Sequence, residues 1–135
     1  MVEIKVEHIH PQLRELLSFA TSKQKVEGIY QTYIQTDGRR LYGFMLEEDV
    51  IGCIGIELLG QNRCEIKHLA VMPNHRGKGI GSKMIRYIKD VHALSVIFAV
   101  TDIEAVNFYE KCGFKITSLG EKYPGIVRFR CILKV

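Results

Sequence analysis

The chain has 135 residues, 47% of them apolar and 25% charged, with a formal net charge of +4. Such a chain is read as one domain, 1–135, with length enough for a real core and an ordinary globular balance. The charge is too modest to mark a nucleic-acid partner, Glu3, Lys5, Glu7, Arg14 and Glu15 break up any signal-peptide core, and no apolar run reaches the length of a bilayer, so a cytoplasmic protein off the membrane is expected.

Residues 2–7, VEIKVE, alternate as a strand does. Leu13, Leu16, Leu17 and Ala20 then follow helical spacing, with Pro11 in the first turn. Val26, Ile29, Tyr30, Tyr33 and Ile34 trace a second amphipathic helix, and TDGRR makes a turn. Residues 41–59 read as a hairpin around Glu47, Glu48 and Asp49, and CEIKHLAV, 64–71, as a further strand ended by Pro73 and Asn74. Ile80, Met84, Tyr87, Ile88 and Val91 repeat as one helix face. LSVIFAV, 94–100, is a short continuous apolar run, expected to be a strand buried on both faces. Thr101 to Glu104 fits a T-x-x-E capping box, which predicts a helix starting there, with Ala105, Val106, Tyr109 and Cys112 inward and Gly113 as its stop. FKITSL and VRFRCILKV close the chain as two strands about Pro124 and Gly125. The order is βααβββαβαββ, an α/β fold, and its strand–helix–strand–helix middle implies locally parallel strands with helices packed on them.

Cys53, Cys64, Cys112 and Cys131 form no C-x-x-C pair, and each sits in an apolar segment. They read as reduced thiols acting as small hydrophobes. The five histidines show no H-x-x-x-H pair, so no metal is expected.

HRGKGIG, 75–81, places three glycines at alternate positions among basic residues, between a strand and a helix N-terminus. Arg76, Lys78, Lys83, Arg86 and Lys89 meet only Asp90, just beyond them. The first amides of a helix lack internal partners, and the dipole puts about half a positive charge there. Gly77, Gly79 and Gly81 would remove side chains that hold a ligand off, which suits a phosphate; a bare structural turn is the competing reading. The Walker pattern fails because Ser82 stands between Gly81 and Lys83, and G-x-G-x-G is not the dinucleotide fingerprint.

LAVMPNHRGKGIGSKMI followed by AVNFYEKCGF closely resembles the GNAT superfamily of N-acetyltransferases. The family's [RQ]-x-x-G-x-[GA] falls on Arg76, Gly79 and Gly81, its V-x-P on Val71 and Pro73, and its A-x-x-x-Y-x-x-x-G-F on Ala105, Tyr109, Gly113 and Phe114. The resemblance implies the GNAT fold, a single mixed sheet with helices on both faces, and acetyl-CoA held between two splayed parallel strands, here 64–71 and 94–100. It implies pantetheine along the backbone of Leu69, Ala70 and Val71, and pyrophosphate on the amides from Gly77 through Lys78, Gly79, Ile80 and Gly81 to Ser82, beside Arg76. Many relatives carry Asn where this chain has Asp102, which can accept a hydrogen bond from the cofactor's amide but cannot donate one.

The implied reaction is direct attack of a primary amine on the thioester. An ammonium group of pKa ~10.4 must first lose a proton, and Glu65 is the candidate base, with His68, Glu57 or water as alternatives. Tyr109 is the candidate acid for the leaving thiolate. The acceptor, a small-molecule or protein amine, would meet the segment 9–36, which holds Tyr30, Gln31, Tyr33 and Gln35. Homodimers are common in the family but have no readable mark in this sequence. The alternative function is a non-catalytic acyl-CoA-binding or sensor module of the same fold.

Overall fold

Alternation and helical spacing sort the chain into the expected order, βααβββαβαββ. The computed structural model describes residues 1–135. It contains β1 (Val2–Glu3), α1 (Pro11–Ala20), α2 (Val26–Gln35), β2 (Arg39–Leu46), β3 (Asp49–Gly60), β4 (Arg63–Val71), α3 (Ile80–Val91), β5 (Val96–Thr101), α4 (Val106–Lys111), β6 (Lys115–Tyr123) and β7 (Ile126–Lys134). The strands form one sheet in the order β1-β2-β3-β4-β5-β7-β6. Every neighbouring pair is antiparallel except β4 with β5.

Helices cover both faces. Leu13, Leu16 and Leu17 of α1 and Tyr30 and Tyr33 of α2 pack on Leu41, Val50, Cys53 and Ala70. On the opposite face Met84, Ile85 and Ile88 of α3 and Val106 and Tyr109 of α4 pack on Ile54, Ile56, Ile66, Ile97 and Cys131. Burying such side chains contributes about 1.5–3 kcal/mol each. All four cysteines are free, and no helix is long and apolar enough to cross a membrane.

Three local expectations are corrected. The first strand is not 2–7 but ends at Glu3. After the Ile4 amide bonds the Leu41 carbonyl, the chain leaves the sheet, and the Tyr30 hydroxyl takes the Val6 carbonyl at 2.6 Å. The strand 96–101 is not buried on both faces. Ile97 and Ala99 are buried, whereas Phe98 is half-buried and Val100 is 50% exposed, because α1 and α2 lie over β2, β3 and β4 and leave this face of β5 bare. The fourth helix starts at Val106, not at Thr101. Thr101 still pairs with Phe129 as the last residue of β5; Asp102 Oδ1 accepts from the amides of Glu104 at 3.0 Å and Ala105 at 3.1 Å and so fastens the turn ahead of the helix, which begins without a side-chain cap.

Candidate active site

Strands β4 and β5 pair in parallel from Arg63–Val96 to Ile66–Ala99, and there the pairing stops. The cause lies on the other edge of β4. Gly55 faces His68 and the next residue, Ile56, faces Ile66, so Lys67 is an extra residue bulged out of the ladder. A bulge bends its strand and sharpens the local twist, and β4 parts from β5 at that point. Lys67 to Val71 are left with an edge that no strand fills. A groove of about 800 Å³ opens there, walled by β4, the glycine loop, the start of α3, the end of β5 and α4.

Simple alternation along β4 would put Glu65, Lys67, Leu69 and Val71 on one face, and the bulge breaks that alternation. Leu69 and Val71 pack toward the α3 layer, and Ala70 toward the α1–α2 layer. Glu65 faces the α2 side, where it meets Lys67 at 3.2 Å; Lys67 also lies 3.8 Å from Glu57, and Glu57 accepts from Arg39 at 3.0 Å.

The loop at 75–81 is built by backbone conformation. Gly77 has φ of 78° and Gly79 of 79°, and Gly79 is the residue from which α3 starts. Side chains are strained in that region, and glycine is not. Gly81 has a different reason: a Cβ there would lie 2.8 Å from the Phe108 ring, so this glycine lets α4 pack against α3. The first amide of α3 to reach a backbone carbonyl is that of Lys83, bonding Gly79 at 3.0 Å. Those of Ile80, Gly81 and Ser82 therefore point out of the helix end unpartnered. Arg76 is fixed twice. Its Nε donates to the Val71 carbonyl at 2.9 Å, and its guanidinium lies 5.3 Å from the Phe19 ring centre. Of the residues expected to hold acetyl-CoA, all but Lys78 line the groove; the Lys78 ammonium stands 3.5 Å from His75 Nδ1.

Tyr109 is 6% exposed and set edge-on between Phe108 and Phe114, with ring centres 5.1 and 5.2 Å away. Its hydroxyl makes no hydrogen bond within the protein, is not sealed from solvent, and opens on the groove. Burial raises its pKa well above the ordinary tyrosine value, and the nearby thiols of Cys131 and Cys112 add to the rise. Cys131 is the β7 partner of Ala99, the last β5 residue paired with β4. Tyr109 therefore stands where the two strands part.

His68 also lines the groove, and the sequence gives no hint of how it is held. The Tyr33 ring crosses β3 at Gly55, and its hydroxyl sits 2.5 Å from His68 Nδ1. Burial, then the charges of Arg39 and Lys67, lower the His68 pKa to about 4, so the imidazole is neutral at pH 7. Glu65 and Glu57 are not on the groove wall. Phe19, Phe108 and Arg128 are on it; no local spacing in the sequence marks them as site residues, because each arrives from an element brought in by the tertiary fold. No three His, Cys, Asp or Glu side chains converge as metal ligands would.

The sequence pattern that defines the acetyltransferase (GNAT) family matches residues 10–114. An uncharacterised N-acetyltransferase of Bacillus methanolicus is 33% identical over 100 residues, covering 72% of this chain and 82% of that protein. An IAA acetyltransferase from Bacillus cereus superposes with a TM-score of 0.75 at 25% identity, over 98% of this chain and 97% of that one. A protein of Bacillus anthracis assigned as a streptothricin acetyltransferase, solved with acetyl coenzyme A, superposes with a TM-score of 0.69 at 26% identity, over 79% of this chain and 69% of that one.

Proposed function

The chain belongs to the acetyltransferase (GNAT) family, and from that premise we propose an acetyl-CoA-dependent N-acetyltransferase whose acceptor is a small primary amine. One observation carries the reading. The groove that opens where β4 leaves β5 has the unpartnered amides of the α3 N-terminus on its wall together with the bare hydroxyl of Tyr109. The amides and the helix dipole suit a pyrophosphate. The open edge of β4 suits the amide-bearing pantetheine arm as a substitute strand.

In this reading the neutral amine nitrogen attacks the thioester carbonyl carbon, the carbon–sulfur bond breaks, the acetyl group leaves on nitrogen, and the proton that nitrogen sheds in forming the amide passes to the departing thiolate to give free CoA thiol. Tyr109 donates a hydrogen bond to the departing sulfur. Glu65 takes the ammonium proton through a water, from the sheet face it shares with its β5 neighbour Phe98. His68 is a positioning group on the groove wall, neutral and tied to Tyr33. The bonds of Asp102 to the Glu104 and Ala105 amides engage Oδ1 and leave Oδ2 to accept from the pantetheine.

The test is release of free CoA thiol from acetyl-CoA with a panel of amines, run beside calorimetric binding of acetyl-CoA. Turnover by the wild type, with Tyr109→Phe about 10- to 100-fold slower and still binding acetyl-CoA, is the expected result. Binding with no turnover on any amine would leave a sensor module, and no binding at all would remove the groove assignment.

A further inference from the structure

Resting on the acetyltransferase reading, the geometry points to an acceptor that carries a carboxylate, anchored by Arg128 where the groove passes the end of β5. Arg128 lies on β7, one residue beyond Phe129, which is the partner of the last β5 residue, Thr101. On that side Arg128 therefore has no strand beside it. On the β6 side, Ser118 faces Phe129 and Glu121 faces Val127, so Leu119 and Gly120 together stand opposite Arg128. Gly120 takes a φ of 79°. This is a second bulge, and bulges next to a site re-aim side chains.

The side chain so placed is half-buried and unpartnered. The other half-buried arginines all have acceptors: Arg39 has Glu57, Arg40 has Glu3, and Arg63 has the Gly60 carbonyl. Arg128 has no ion pair, no hydrogen bond and no aromatic ring beneath it, whereas its neighbour Arg130 stacks 5.5 Å over Phe98. Arg128 and Val100 line both the main groove and an adjoining hollow of about 500 Å³. The hollow is completed by Leu119, Gly120 and Lys122, and no acid lines it. Two acids border the main groove nearby: Asp102, whose Oδ1 is bound to the Glu104 and Ala105 amides, and the exposed Glu104.

An arginine fork with open donors matches a carboxylate in a bidentate pair. Val100 and Leu119, both about half exposed at 50% and 54%, offer apolar contact to a short aliphatic body. Such a ligand sets its carboxylate on Arg128 and turns its amine into the groove. The positive field of Arg128 and Lys122 also favours the neutral amine over the ammonium and works against acceptors that carry several positive charges.

The experiment measures kcat/KM with acetyl-CoA, referred to the neutral fraction of each amine, for matched acid and amide pairs: β-alanine and its amide, γ-aminobutyrate and its amide, L-lysine and L-lysinamide. Spermidine and O-phosphoethanolamine complete the panel. At least one acid is expected to exceed its amide by about tenfold or more. Arg128→Gln should erase that ratio, and Arg128→Lys, which keeps the charge without the fork, should keep part of it. Equal use of acid and amide, preference for spermidine or phosphoethanolamine, no turnover of any carboxylated amine, or a ratio unmoved in Arg128→Gln would each overturn the proposal. Wild-type acetyl-CoA binding, measured by calorimetry, separates the two readings: its loss strikes the acetyltransferase assignment, whereas binding together with an amide or polyamine preference strikes only the acceptor class.

Discussion

Gly55→Ala tests the arrangement that brings Tyr33 to His68. The added methyl would lie inside the envelope of the Tyr33 hydroxyl and 2.8 Å from its Cε1. Tyr33 cannot give way easily, because it is 4% exposed and packed among the α1 and α2 side chains. Forcing a methyl into a filled core costs about 1–3 kcal/mol, and losing the hydrogen bond to His68 about 0.5–1.5 kcal/mol. We expect a destabilisation of about 2–4 kcal/mol. For 135 residues the average unfolding entropy turns this into a fall in Tm of about 7–14 °C. The sign is the discriminating feature. Gly55 does not have a positive φ, so alanine in this strand would otherwise stabilise by about 0.5–1 kcal/mol. Urea unfolding of Gly55→Ala, Tyr33→Leu and the double variant completes a cycle: with the ring removed, Gly55→Ala should be neutral or stabilising. A single Gly55→Ala variant as stable as the wild type, or the same penalty in both backgrounds, would refute the reasoning.

Gly79→Val should cost about 1–2 kcal/mol for placing a branched residue at φ of 79° and should abolish the rise in Tm that acetyl-CoA gives the wild type; a thermal shift assay reads both. Glu65→Gln should lower turnover most near neutral pH and recover as more amine is already neutral, with acetyl-CoA affinity nearly unchanged; a pH–rate profile of unaltered shape would remove Glu65 as the base. His68 has a folded pKa of about 4, below its ordinary value near 6.5. The unfolded chain therefore binds the proton first, and stability falls as pH drops from about 6.5 toward 4. His68→Gln should flatten part of that decline in urea midpoints. His92, bonded to Tyr42 and also shifted down by burial, supplies a remainder of the same sign.

The elements most legible in the sequence are those whose signals are local. Pro11 with Leu13, Leu16 and Leu17 becomes α1, and the face of Ile80, Met84 and Ile88 becomes α3. The two motifs on Arg76–Gly81 and Ala105–Phe114 carry the family. What failed was set by a partner strand. The faces of β4 depend on the Lys67 bulge, which exists only through pairing with Gly55 and Ile56. Likewise, T-x-x-E promised a cap from Thr101, but that residue is held in β5 by Phe129, and the next carboxylate fastens the turn before the helix instead. Gly81 reads in sequence as room for a ligand and in the fold as room for Phe108. Arg128 is one of several basic residues in an alternating strand, and only the end of β5 and the bulge in β6 distinguish it.

The surroundings of Tyr109 limit what it can do in the proposed reaction. A CoA thiol resembles an ordinary thiol of pKa ~8.5, and an unperturbed tyrosine has pKa ~10. Burial moves Tyr109 further up, so full proton transfer to the thiolate is uphill by at least ~2 kcal/mol. The group is therefore better suited to hold the developing charge with a hydrogen bond than to surrender its proton. Hydrogen bonds to charged groups contribute about 1.5–3 kcal/mol, which is the source of the 10- to 100-fold loss expected of Tyr109→Phe. The same shift fixes the pH behaviour. Because its pKa is raised, the hydroxyl keeps its proton through the alkaline range in which amines become nucleophilic. Acceptor deprotonation and donation to sulfur are then satisfied at one pH, and an alkaline fall in rate near pH 8–9 would belong to a group other than Tyr109.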